Sequence, residues 1–298
     1  MNQPASHPIK HDRFAYSPIV DRPKITWPNG ARLALWVIPN IEHFLFDRPS
    51  TSITPITTRF VPDVLNYSWR DYGNRVGIWR MIDVMEKYKV RGTVALNADV
   101  CDEYPRIIEA GKALNWEWMG HGKNNSMLMA ERSEDEERAM IREIYDIIAS
   151  KTGQKPRGWL GPALTETHNT LDLLAEAGFD YVGDWVNDEQ PYDMRVKKGR
   201  MTSIPYSIEI NDIPAFLDGK QSAESFGQMI KDQFDVLYED SATTGRVMSI
   251  CLHPFLIGHP FRSKYFDDAL RHITSRQEVW LATGSEIIDA YRAQKKSS

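Results

Sequence analysis

Residues 32–43 read Arg-Leu-Ala-Leu-Trp-Val-Ile-Pro-Asn-Ile-Glu-His. The run Arg32–Ile38 is short and apolar and stops at Pro39, the pattern of a strand buried on both faces. Directly behind it come Asn40, Glu42 and His43. Parallel α/β sheets present their chemistry this way, on polar residues at the carboxyl ends of buried strands.

The rest of the chain repeats the arrangement. Strand signals fall at residues 92–96, 117–120, 156–159, 180–183, 246–252 and 279–282, with extended segments at 201–206 and 207–210. Helical signals lie between them, at 77–89, 104–114, 133–152, 167–178, 223–239, 263–276 and 285–292. The clearest is the helix that Ser133 caps, with Glu136 and Glu137 in its acid-favouring first turn and Gly153 as its stop. Alternating strands and helices predict a mostly parallel α/β fold. Five strand ends carry polar groups: Asn40-Ile41-Glu42-His43, His121-Gly122-Lys123-Asn124-Asn125, Trp159-Leu160-Gly161-Pro162, Asp184 to Glu189, and His253-Pro254. A closed sheet would bring them together.

The chemistry they can do is narrow. No glycine-rich loop precedes a Lys-Ser/Thr pair, and no Gly-x-Ser-x-Gly elbow occurs. Carboxylates and histidines remain, which together hold a divalent metal, activate water and protonate a leaving group. Glu42 and His253 are among the candidates for these roles.

The chain has 298 residues, enough for one barrel or two small domains. No linker divides it. Residues 1–25, with Pro4, Pro8, Pro18 and Pro23, read as an arm, and residues 26–298 as one catalytic domain. The formal net charge of -5 argues against a nucleic-acid partner. No apolar run approaches the ~20 residues of a membrane span, and the first residues lack the apolar core of a signal peptide. With two distant cysteines, Cys101 and Cys251, the expectation is a reduced, cytoplasmic protein. Residues 47–75 read as a long irregular loop of the functional kind. The nine tryptophans suit core packing or an aromatic-lined pocket.

An acid after the first strand, His121-Gly122 after a middle strand and Leu252-His253-Pro254 after a late one resemble the polysaccharide-deacetylase (NodB-homology) superfamily. Three stretches bring the chain nearer to the branch of PuuE-type allantoinases and cyclic imide hydrolases. Arg70-Asp71-Tyr72-Gly73-Asn74-Arg75-Val76-Gly77 resembles that branch's R-x-Y-G-x-R-x-G segment. Lys155-Pro156-Arg157-Gly158-Trp159 resembles its P-x-G-W strand. Residues 184–192, Asp-Trp-Val-Asn-Asp-Glu-Gln-Pro-Tyr, resemble its D-x-x-N-D-[DE]-x-P-Y loop.

The resemblance implies an irregular (β/α)7-like barrel and hydrolysis of a non-peptide C–N bond in a small cyclic amide, imide or ureide. It implies Asn40, Arg75, Trp159, Asp184, Asn187 and Asp188 as substrate-binding residues. A divalent metal, zinc first, would sit on His121, Glu42, His43 and Asn125. The family's Asp-Asp pair and the second histidine of its His-x3-His pair are replaced here, by Asn40-Ile41-Glu42-His43 and by Asn125. The alternatives are N-deacetylation of a sugar polymer and a non-catalytic binding barrel. The expected partner is a small molecule, and relatives in this branch are often homo-oligomers, tetramers above all.

Overall fold

The computed structural model describes residues 10–48, 56–57, 59–129 and 132–295. The first nine residues of the expected arm and residues 49–55 of the expected loop lie outside them. Nine strands form one sheet: β1 (Leu33–Ile41), β2 (Thr93–Leu96), β3 (Glu117–Gly120), β4 (Gly158–Trp159), β5 (Tyr181–Val182), β6 (Tyr192–Met194), β7 (Met201–Ser203), β8 (Arg246–Leu252) and β9 (Val279–Leu281). Their order is β6-β7-β5-β4-β3-β2-β1-β8, and β9 lies beside the start of β1. All pairs are parallel except β6 with β7. The sheet curls into an irregular NodB-type barrel. Short links span its seam, where Asn211 bridges Cys251 and the Val247 N–H donates to Glu189 O at 2.9 Å.

The helices are α1 (Val64–Tyr72), α2 (Ile78–Lys87), α3 (Val100–Glu103), α4 (Pro105–Ala113), α5 (Glu134–Thr152), α6 (Thr170–Ala177), α7 (Ala223–Asp240), α8 (Pro254–Ile257), α9 (Pro260–Thr274) and α10 (Gly284–Lys295). None of them is long and apolar enough to cross a membrane. The α5 cap is as the sequence predicts: Ser133 and Glu136 form a capping box, and Gly153 closes the helix at φ 77°.

Strand periodicity sorts the core into two clusters. Leu33, Leu35, Val37 and Ile41 of β1 pack outward on the helices, while Ala34, Trp36 and Ile38 fill the barrel. In β8, Val247 and Cys251 face in and Met248, Ile250 and Leu252 face out. The same alternation sets Ala95 of β2, Met119 of β3 and Leu160 just after β4 inside.

Residues 207–210, expected to be extended, form a turn before the bridge at Asn211, and two further elements differ from expectation. First, β1 runs through Pro39 to Ile41 instead of stopping. Pro39 stands in register with Leu252 of β8, and on the other side of β1 it falls between the Val37–Gly92 bridge and the pairing with β2 over residues 40–41. Second, part of the long loop is helical. Asp63 caps α1 by accepting the Asn66 N–H at 3.0 Å, and α1 continues through a π-helical turn (Gly73–Gly77) into α2. A Cβ on Gly77 would lie 2.1 Å from the Pro254 carbonyl oxygen, so only glycine lets this turn press against α8.

Candidate active site

Barrel parity decides which strand-end residues meet. Continuing the inward series of β1 through 34, 36, 38 and 40 reaches Glu42; that of β8 through 247, 249 and 251 reaches His253; that of β3 from 119 reaches His121. These three side chains converge at the mouth of the barrel. Glu42 Oε1 lies 3.3 Å from His121 Nε2 and 3.6 Å from His253 Nε2. Asn125 Nδ2 donates to the same oxygen at 2.5 Å. Glu42 Oε2 is buried and has no hydrogen-bond partner among the described residues; Arg70 Nη1 lies 3.9 Å from it.

The electrostatics separate an acid from a base. Burial alone would push the Glu42 carboxyl up, but the charge of His253 and the bonds to both histidines outweigh it and hold Glu42 ionised, with a lowered pKa. Burial would lower His253, but Glu42 and Asp212 raise it to about 9, so it is an imidazolium at neutral pH. Asp212 receives His253 Nδ1 at 2.7 Å, and the His253 backbone N–H lies 2.9 and 3.1 Å from its two oxygens. Burial pushes Asp212 up and His253 pulls it down, and these N–H donors favour the anion. Arg70 is buried at the end of α1. Its guanidinium lies 3.7 Å from the Phe44 ring centre and 4.9 Å from that of Phe255. Burial lowers its pKa to about 10, against the pull of Glu42.

Of the residues singled out in the sequence, Glu42, His121, Asn125 and His253 come together. The others lie elsewhere. Asn40 faces the barrel interior below Glu42, with its Nδ2 3.3 Å from Ile38 O. Arg75 is 74% exposed and paired with Asp71 at 3.6 Å. Trp159 has the outward parity of β4 and packs in the helical layer on Phe179.

Asp184 accepts the Gly161 N–H at 2.6 Å and faces Glu166. Burial and that neighbouring carboxyl push Asp184 well up, and burial brings Glu166 to about 7. Asp188 takes a two-pronged ion pair from Arg22 of the arm, both contacts at 2.7 Å, and Asn187 accepts the Tyr192 hydroxyl at 2.8 Å. Both line a cavity of about 1080 Å³ between residues 14–25 and the barrel seam, which Glu42, His121 and His253 do not touch.

His43 lies against the Tyr104 ring at 5.9 Å between centroids, and its buried Nδ1 has no hydrogen-bond partner among the described residues.

Three residues of the site escape the sequence reading. Asp212 follows a single bridge rather than a strand, so no strand-end rule reaches it. Arg70 belongs to a legible series, since the buried Asn66, Arg70 and Asn74 recur every four residues as helix neighbours do. Asn97 directly follows β2 with inward parity and was equally open to the rule.

The expected divalent metal sets a demand on these donors. Three protein ligands with lone pairs are the minimum for a catalytic zinc. His121 offers Nε2, because its Nδ1 lies 2.6 Å from the Leu160 carbonyl and must carry the proton there. Asn125, however, presents its N–H to Glu42, and Oε1 of Glu42 already faces three nitrogens. Among the described residues no group of three His, Cys, Asp or Glu side chains could hold a metal ion. The zinc set His121, Glu42, His43 and Asn125 therefore does not fit this geometry.

Comparison with known proteins bears on the same region. Residues 67–182 match the family model "Polysaccharide deacetylase". A Schizosaccharomyces pombe protein provisionally named a polysaccharide deacetylase is 27% identical over 90% of this chain and 92% of its own. Among solved structures, a Pseudomonas aeruginosa PAO1 protein described as a probable polysaccharide deacetylase superposes with a TM-score of 0.83 and 29% identity, covering 92% of this chain and 95% of that one. A PuuE allantoinase superposes with a TM-score of 0.81 and 26% identity, covering 92% and 94%.

Proposed function

We propose that the chain, of which residues 67–182 match the polysaccharide-deacetylase family model, is a hydrolase of carbon–nitrogen bonds that opens a small cyclic amide, imide or ureide with Glu42 as base and His253 as acid. The observation that carries this reading is the pairing of an ionised Glu42 with a protonated His253 across 3.6 Å.

Water donates a proton to Glu42 Oε2, the oxygen without a hydrogen-bond partner, and its oxygen attacks the amide carbonyl. The nearby Arg70 guanidinium is the cation placed to stabilise the developing oxyanion. His253 Nε2 then protonates the leaving nitrogen as the C–N bond breaks, and Asp212 holds the imidazole in place throughout. In a ring amide the product stays one molecule. A divalent metal, when bound in relatives of this fold, polarises the carbonyl and lowers the pKa of water. Here Glu42, His253 and Arg70 supply the proton acceptor, the proton donor and the cation.

Two features favour a small ring over a polymer. The reactive side chains are only 4–5% exposed, and Phe44, Trp69 and Phe255 close in around Arg70. The likeness to an allantoinase agrees with a ring ureide. The family match and the yeast relative's name favour a second reading, release of acetate from an N-acetylated sugar.

The test is a panel of allantoin, succinimide, dihydrouracil and a chitin oligomer, assayed with wild type and His253→Ala. Turnover of a ring member, with kcat lower by about 10²–10⁴ in the variant, is expected. Acetate release from the oligomer alone would replace the first reading with the second.

A further inference from the structure

Asn97 is fully buried between the strand ends that carry the site. Two backbone groups fix which way its amide points. Its Oδ1 accepts the His43 N–H at 2.9 Å, and its Nδ2 donates to the His121 carbonyl. A flipped amide would set oxygen against oxygen and N–H against N–H, so only one orientation satisfies both.

The same Nδ2 donates to Asn125 Oδ1 at 2.9 Å. The Asn125 backbone is itself held, its N–H donating to His43 O at 3.0 Å. With Oδ1 engaged by Asn97, Asn125 has only its Nδ2 to present to Glu42, and it does so at 2.5 Å.

We propose that Asn97 is a positioning residue that sets the polarity of the site, locking Asn125 as a hydrogen-bond donor so that it offers Glu42 an N–H instead of offering a cation its oxygen. This rests on Glu42 as the reactive carboxylate, but its test needs no substrate. If Asn97 lost its Nδ2 donor, Asn125 would be released to turn. Its Oδ1 would then face Glu42 and His121 Nε2, and three lone-pair donors would converge where the Asn125 N–H now points.

The experiment is equilibrium dialysis of metal-stripped protein against zinc chloride, for wild type, Asn97→Ser and Asn97→Asp, with thermal melts to verify folding. The neutral serine variant separates the turning of Asn125 from an added charge. Both variants should bind one zinc at least about tenfold more tightly than wild type. Zinc affinity in Asn97→Ser equal to wild type, or a tight stoichiometric zinc in wild type itself, overturns the proposal.

A second readout uses wild type alone, should the variants not fold. The Asn125 side-chain amide should appear by NMR as one strongly downfield, exchange-protected N–H facing the carboxylate. A solvent-like, rapidly exchanging Asn125 amide overturns it. Silence on the whole substrate panel together with the expected zinc result would remove the proposed reaction and leave the role of Asn97 standing.

Discussion

At the scale of the residue, the centre of the site is one carboxylate with two differently occupied oxygens. Oε1 of Glu42 faces His121, His253 and Asn125, and Oε2 faces Arg70 across 3.9 Å. Desolvation is the largest influence on Glu42 and it opposes ionisation, so the cations around it decide its state. Arg70 and Glu42 also attract each other, the carboxylate pulling the guanidinium pKa up, so Arg70→Met should raise the pKa of Glu42. The acidic limb of kcat/KM should move to higher pH, since activity needs the ionised form, and a pH–rate profile reads this directly. An unmoved limb would show that the histidines alone hold Glu42 ionised. The sequence exposed Glu42, His121 and His253 because each directly follows an apolar run. It misdirected attention to Arg75, which shares a motif with Arg70 but lies on the solvent side of the helix. The spacing of Asn66, Arg70 and Asn74 held the better answer, and reading it required knowing that residues 64–72 are helical.

At the scale of the element, strand parity explains what converged and what did not. Inward parity gathers Glu42, Asn97, His121 and His253, while outward parity removes Trp159 to the helical layer. That rule was available in the sequence. What was not available is tertiary: Asp212 stands on a segment paired by one bridge, and its role comes from lying beside β8.

Asp184 shows the other limit. It follows a strand but meets Glu166, a partner on the loop between β4 and α6 that no local pattern announces. This pair makes a stability prediction. Burial raises Glu166 from 4.5 to about 7, with Glu137 adding to the rise and Asp184, Trp185 and Arg13 opposing it. The folded state thus binds the proton more tightly than the unfolded chain. The contribution to stability is fully present below about pH 4.5 and is lost as the pH rises through about 7. Glu166→Gln should flatten the unfolding free energy over that window. Denaturant titrations at pH 5 and 8 measure it, and an equal pH dependence in variant and wild type would contradict the raised Glu166 pKa.

At the scale of the whole molecule, the arm closes the open side of the barrel. Arg13 pairs with Asp172 at 3.0 Å and Arg22 with Asp188 at 2.7 Å, so two arginines fasten residues 10–25 to the first turn of α6 and to the loop after β5. The prolines marked this segment as an arm, but its course over the seam depends on partners more than 150 residues away. Arg22→Ala should cost about 1.5–3 kcal/mol, the usual worth of a hydrogen-bonded charge. It should also open residues 10–25 to proteolysis, read by denaturant titration and limited digestion; undiminished protection would mean that Arg13 alone holds the arm.

Folding the chain into a barrel brings Glu42 and His253, 211 positions apart in sequence, into one acid–base pair, and that pairing is the central claim. The pH dependence of kcat/KM in wild type and Asp212→Asn tests it most directly. His253 acts while protonated, so the wild-type profile should fall above about pH 9. Removing the Asp212 charge, which helps raise that pKa, should move the basic limb to lower pH while the acidic limb stays. A basic limb at the same pH in both proteins would mean that His253 is not the proton donor.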